Sequence, residues 1–147
     1  MVDASTVIDA ASGISEPGWS ILLQALERRR GQLVAPDLMW SEAFSVLHEQ
    51  SWRGIIDDAG ARLALDLLVA FPIKARRPSG LRERAWAIAD RMGWAKTYDA
   101  EYCALAELLG CELVTGDRRL RAAGARLGYV LTIAEAAKRY ESGARNG

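Results

Sequence analysis

The sequence predicts an α/β protein, a three-layer α/β/α sandwich in which helices cover both faces of a mostly parallel sheet of about four to five strands. Three observations lead there. Short apolar runs alternate along the chain with longer segments of helical periodicity, the pattern of strands joined by helical crossovers. The chain has 147 residues, 50% of them hydrophobic; a chain of this size fits one domain, buries roughly 70% of its unfolded surface and leaves no room for a second domain. Two carboxylates, Asp3 and Asp117, end short apolar runs, which is where open parallel sheets hold their ligands.

Residues 1–4 form a very short first strand leading into a helical turn through Ala11. Ser15-Glu16-Pro17-Gly18 punctuates the chain before an amphipathic helix carrying Trp19, Leu22, Leu23 and Leu26, stopped at Gly31. Residues 32–35 read as a second strand. Pro36, whose fixed φ suits a first helical turn, opens a helix that runs to about residue 53 with the apolar stripe Met39, Ala43, Val46 and Leu47. Asp57 and Asp58 cap the next helix, which carries Leu63, Leu67 and Leu68 on one side and ends before Phe71-Pro72. Residues 73–75 are a short strand followed by a basic loop. The segment 81–92 is a helix with Trp86, Ile88 and Ala89 inward, ended by Gly93. Another helix starts near Asp99, a buried strand at 113–115 ends in the Asp117 loop, and a turn of helix, a strand at 129–131 and a helix over 132–140 follow. One domain over 1–141 is expected, with a frayed tail at 142–147. Right-handed crossovers put the carboxyl ends of the strands, and with them Asp3 and Asp117, on one edge.

Basic and acidic residues balance at 19 each, so net charge carries no signal for a polyanionic partner. Local charge is uneven. Arg28-Arg29-Arg30 closes a helix, where cations complement the macrodipole; Arg76, Arg77, Arg82 and Arg84 form a second cluster, and Arg118, Arg119, Arg121 and Arg126 follow Asp117. Cys103 and Cys111 make neither a disulfide framework nor a zinc spacing; on one helix they would stand about 12 Å apart, so free thiols in a reducing compartment are expected. His48, the sole histidine, lies on a different helical face from Glu42 and reads as a surface residue. No apolar run approaches the roughly 20 residues that span a bilayer, and no basic-then-apolar leader opens the chain, so a cytoplasmic protein without membrane attachment is expected.

The carboxylates carry the functional signal. Glu42 sits mid-helix, where it caps nothing, between Met39 and Val46 at i−3 and i+4. Asp99 shares a largely uncharged helical face with Tyr102 and Cys103. Asp3, Asp99 and Asp117 each have an ordinary explanation as helix caps or first-turn acids. Jointly, Asp3, Glu42, Asp99 and Asp117 have the pattern of an oxygen-only metal site assembled from strand, helix, helix and strand. Clustered carboxylates repel one another, and a divalent cation relieves that cost; carboxylate and water ligands favour Mg2+ or Mn2+.

Val2-Asp3-Ala4-Ser5, the stretch from Pro36 to Leu47 containing Glu42, Tyr98-Asp99-Ala100-Glu101-Tyr102 with Ala104-Leu105-Ala106, and Leu113-Val114-Thr115-Gly116-Asp117-Arg118-Arg119-Leu120 occur in an order and spacing that resemble the PIN-domain ribonucleases, in particular the VapC-type toxins of bacterial toxin–antitoxin pairs. The resemblance extends over nearly the whole chain. It implies a PIN-like sandwich, an acidic cluster of Asp3, Glu42, Asp99 and Asp117 holding magnesium or manganese, and hydroxyl groups at Ser5 and Thr115 hydrogen-bonding around it. It also implies hydrolysis of RNA phosphodiesters by a metal-activated water, and a cognate antitoxin protein as partner. Lys96, Arg118 and Arg119 are candidates for phosphate contact. Two features depart from the family: only Met1 and Val2 precede Asp3, which leaves a short first strand, and Gly116 stands where alanine is common.

The rival reading is a non-catalytic PIN-like interaction module that receives a partner's basic residues on its acids. A phosphoacceptor domain fits poorly, because the strand at 32–35 reaches Asp37 only after Pro36. The five tryptophans, Trp19, Trp40, Trp52, Trp86 and Trp94, are expected mainly in the core, with some available for a homodimer or partner surface.

Overall fold

The computed structural model describes residues 1–13 and 18–144. The punctuation expected at Ser15-Glu16-Pro17 and the last residues of the tail, 145–147, lie outside them. The helices are α1 (Ala4–Ala11), α2 (Gly18–Arg28), α3 (Leu38–Trp52), α4 (Asp58–Ala70), α5 (Leu81–Met92), α6 (Tyr98–Leu109), α7 (Arg118–Gly124) and α8 (Ile133–Ala144); the strands are β1 (Leu33–Ala35), β2 (Ile73–Ala75), β3 (Leu113–Val114) and β4 (Val130–Leu131). A 3₁₀ turn at Ala125–Leu127 joins α7 to β4.

β1 pairs with β2, β3 pairs with β4, and both ladders are parallel. The amino-terminal segment joins the two pairs. Val2 donates its amide to the Val34 carbonyl on one side, and the Val114 amide donates to Met1 on the other, with a parallel bridge between Val2 and Val114. The spatial order is therefore β2, β1, Met1–Asp3, β3, β4. The short first strand occupies the centre of the sheet, and Val2 is fully buried there. Chain order reverses between this segment and β3, which makes their carboxyl ends the topological switch point.

α5 packs on α6, α2 on α8, and α1, α3 and α4 pack on one another. Met39, Ala43 and Leu47 bring α3 onto the core, while Cys103, Leu105 and Ala106 bury the middle of α6. Truncating a side chain such as Met39 to alanine in an interior of this kind costs about 2–5 kcal/mol.

Helix termini are set by backbone motifs. At α5, the Trp94 amide reaches the Ala89 carbonyl and the Gly93 amide reaches Asp90, a Schellman ending with Gly93 at φ +68°. α6 ends the same way at Gly110 and Cys111. α2 uses Arg30 at φ +52° where glycine is usual, and at Gly31, which follows, an added Cβ would meet the Leu26 side-chain methyl at 2.8 Å. The expected stop at Gly31 is thus executed one residue earlier.

Three expected apolar faces are narrower than periodicity suggests. Val46 on α3 is exposed, on α4 Leu68 is buried with Ala64 while Leu63 and Leu67 face solvent, and on α5 Ile88 and Ala89 are buried but Trp86 is 66% exposed. Of the other tryptophans, Trp19 is buried, Trp40 and Trp94 pack partly against the core, and Trp52 is exposed. Among the described residues, no helix is long and apolar enough to cross a membrane.

Candidate active site

The four acids line one cleft of about 340 Å³ at the switch point. Asp3 follows the central Val2 and caps α1, accepting the Thr6 amide at 2.9 Å. The Ser5 hydroxyl lies 2.8 and 2.9 Å from its two oxygens, and the Thr115 hydroxyl donates to Oδ2 at 2.5 Å. Burial pushes the Asp3 carboxyl above the ordinary aspartate range, and these donors, Thr115 foremost, oppose the shift. Asp3 is thereby held in a single orientation.

Thr115 also accepts the Asp117 amide at 2.9 Å, so one buried hydroxyl links the ends of the two central strands. Asp117 caps α7, with Oδ1 taking the Arg119 and Leu120 amides at 2.7 and 3.2 Å. Capping and site formation are therefore one arrangement here, because strand ends are also helix starts. At Gly116 an added Cβ would stand 2.7 Å from the Asp9 carboxylate and 3.2 Å from the Ser5 hydroxyl, to which the Gly116 amide donates at 3.0 Å, so a side chain there would shift the Asp9 carboxylate.

Glu42 reaches the cleft from α3 and accepts the Tyr102 hydroxyl at 2.7 Å. Half-buried, it is pushed upward by desolvation and by the negative charge of Asp99 and Asp3, against the Tyr102 hydrogen bond. The Tyr102 phenol is raised by its own burial and by Glu42. Asp99 lies in the first turn of α6, where its Oδ2 accepts from Arg119 Nη2 at 3.0 Å; the same nitrogen is 3.5 Å from Asp117 Oδ2. Arg119 is thus the positive charge between two of the acids. With Asp99 and Asp117 drawn to the guanidinium and Asp3 to Thr115, no three carboxylate, histidine or cysteine side chains among the described residues form a ready-made metal cage.

Lys96 lies with Glu42, Asp99 and Arg119 on an adjoining recess. Arg118 does not line the cleft; it lines another recess with Thr132 and Ile133 that meets the cleft at Asp117. The rest of the third arginine cluster is partly structural, since Arg121 pairs with Glu135 at 2.7 Å. His48 is exposed, and both cysteines are free, Cys103 buried and Cys111 half-buried. Sequence reasoning missed Asp9 and the Tyr102–Glu42 bond. Asp9 is a fifth carboxylate on the cleft; it lies one helical turn beyond Ser5, and that i, i+4 relation was its only signal.

A profile of the PIN domain matches residues 1–125. The chain belongs to the PIN-domain family. It is 36% identical over 124 residues to a Mycobacterium bovis protein named VapC ribonuclease Mb0985 and to Ribonuclease VapC9 of Mycobacterium tuberculosis, covering 84% of this chain and 90% of each relative. Ribonuclease VapC1 of Mycobacterium tuberculosis is 35% identical over 125 residues, 84% of this chain and 89% of the relative. Among solved structures, PAE2754 from Pyrobaculum aerophilum superposes with a TM-score of 0.67 at 26% identity, covering 96% of this chain and 88% of that one.

Proposed function

We propose that this chain is a metal-dependent endoribonuclease of the VapC type, the toxin of a type II toxin–antitoxin pair. The observation that carries the reading is the meeting of Asp3, Glu42, Asp99 and Asp117, from four separate stretches of sequence, in one cleft at the switch point. Relatives that cover most of the chain are named ribonucleases, which makes RNA the substrate class.

An oxygen-only donor set in which burial and mutual repulsion disfavour the charged forms of Asp3 and Glu42 fits a hard divalent cation, magnesium or manganese. Asp3, Glu42, Asp99 and Asp117 would hold it. When bound, such a cation stabilises the charge that builds on phosphoryl oxygens and makes water a better nucleophile. The chain's own groups do the positioning. Ser5 and Thr115 fix Asp3, Tyr102 fixes Glu42, and Glu42 has one carboxylate oxygen available to orient water. Arg119, with Nη2 held by Asp99 and Asp117, keeps its other N–H groups for a phosphate oxygen, and Lys96 suits a single charge at the rim; Arg118, outside the cleft, is the weaker candidate.

For an antitoxin or a second copy of the chain, the surface of α3 and α4 offers Phe44, Trp52, Leu63 and Val69, all exposed. Exposed apolar surface of this kind marks interaction sites. A purely interaction role for the acids is separated from catalysis by cleavage. Wild-type protein incubated with a fluorogenic RNA and manganese should release signal, and Asp117→Asn should release at least about a hundredfold less, the scale of losing one electrostatic participant. Equal background from both would remove the nuclease reading.

A further inference from the structure

The acid cleft opens into a second recess of about 590 Å³, which shares Glu42, Asp99 and Arg119 with it and is otherwise walled by the α5–α6 linker and Tyr98. We propose that this recess is the seat of an unpaired RNA base next to the scissile phosphodiester, with Tyr98 as its stacking surface and Lys96 on the adjoining phosphate. The inference rests on the ribonuclease reading and adds to it where the strand is gripped.

Tyr98 is the first residue of α6 and the neighbour of Asp99, yet its side chain is 58% exposed. Among the described residues, neither its hydroxyl nor the Lys96 ammonium has a hydrogen-bond or ion-pair partner. Tyr98 is not among the residues packed against the core, so its ring is available to a ligand. Trp94, half-buried against the core, lines the same recess. The Schellman ending at Gly93 and Trp94 anchors the linker at its start, so the recess has a fixed wall. A volume of several hundred Å³ is that of ordinary small-ligand sites.

Charge balance supplies the reason for stacking. The cleft gathers Asp3, Asp9, Glu42, Asp99 and Asp117, and Arg119 is already engaged by Asp99 and Asp117. Net attraction for a polyanion is therefore weak at the place where the strand must lie, and a cation in the cleft offsets only part of the deficit. Base–aromatic stacking does not depend on charge, and it tolerates any base because each has a π face. It does require the base to be out of a helix, so the recess selects single-stranded segments, loops or ends.

The test compares wild type, Tyr98→Leu and Tyr98→Phe on short single-stranded RNAs carrying one abasic ribonucleotide, moved stepwise past the cleavage position. Two readouts are taken: cleavage kinetics, and fluorescence anisotropy of labelled RNA on Asp117→Asn protein with and without the same Tyr98 changes. Tyr98→Leu should raise KM and weaken RNA binding by at least about fivefold, with Tyr98→Phe close to wild type. One abasic position should weaken wild-type binding by a similar factor and leave Tyr98→Leu unaffected. Cleavage with unchanged KM and binding in Tyr98→Leu overturns the base seat and leaves the nuclease reading standing. Binding that depends on Tyr98 without any cleavage does the reverse. Equal abasic sensitivity in wild type and Tyr98→Leu assigns the base to another surface and also overturns the proposal.

Discussion

At the scale of single residues, Thr115 is the joint of the site. Its hydroxyl donates to Asp3 and accepts from the Asp117 amide while the residue is almost fully buried. Thr115→Val keeps the shape, strands the Asp117 amide and leaves Asp3 only Ser5 and Thr6, so urea unfolding should show a loss of about 1–3 kcal/mol, and Thr115→Ser should recover most of it. Arg119 plays a different part, because its guanidinium lies between Asp99 and Asp117, where the proposed metal ion would compete with it. Removing it in Arg119→Ala should tighten manganese binding measured by calorimetry while raising KM for RNA. Weaker manganese binding in that variant would mean that the guanidinium organises the carboxylates rather than competing for them. The four acids were legible only jointly: Asp3, Asp99 and Asp117 each have an ordinary role as a cap or first-turn acid, which Asp3 and Asp117 do fill, and it was the pattern across strand, helix, helix and strand, with Glu42 capping nothing, that set them apart. Asp9 was barely legible: its i, i+4 relation to Ser5 was the only signal, and on a short helix that spacing alone does not separate a cleft carboxylate from a solvated one.

At the scale of elements, helix starts and stops were read from residue types whose local physics is strong. The stop of α5 at Gly93 is an example; the reciprocal bonds between Thr132 and Glu135 at the start of α8, each amide meeting the other's side chain, were not anticipated. The Arg121 ion pair and the Thr132 amide hold Glu135 well down, at about 2 against an ordinary 4.5. Because the folded value is depressed, this contribution is complete above the unfolded value and is lost as pH falls through the folded one. The stability difference between wild type and Glu135→Gln should therefore shrink in denaturant titrations between about pH 5 and pH 2. A difference constant over that window would show that the carboxylate charge contributes nothing. Faces were less legible than ends. Trp86, Leu63 and Leu67 have the right spacing for burial, but periodicity identifies an apolar stripe without saying how wide a neighbour covers it. Arg30 shows the same limit: a positive φ at a non-glycine residue follows from the Schellman bonds around it and leaves no mark in its own identity.

At the scale of the whole molecule, alternation of strand and helix was enough to place Asp3 and Asp117 on one sheet edge, since parallel crossovers permit little else. The central position of the first strand was not legible. It is reduced to one bridge at Val2, and its place follows from amide contacts to Val34 and Val114 on either side. That position is what brings Asp3 against Thr115 and opens the cleft between halves of the sheet. Glu42 then enters from the second turn of α3 and Asp99 from the first turn of α6. We propose that these four carboxylates act together on one divalent cation. Thermal unfolding with and without millimolar manganese tests it most directly, because a ligand bound only by the folded state raises the midpoint by mass action. Wild-type protein should gain several degrees and Asp99→Asn should gain almost none; an equal manganese response in both proteins would contradict the claim.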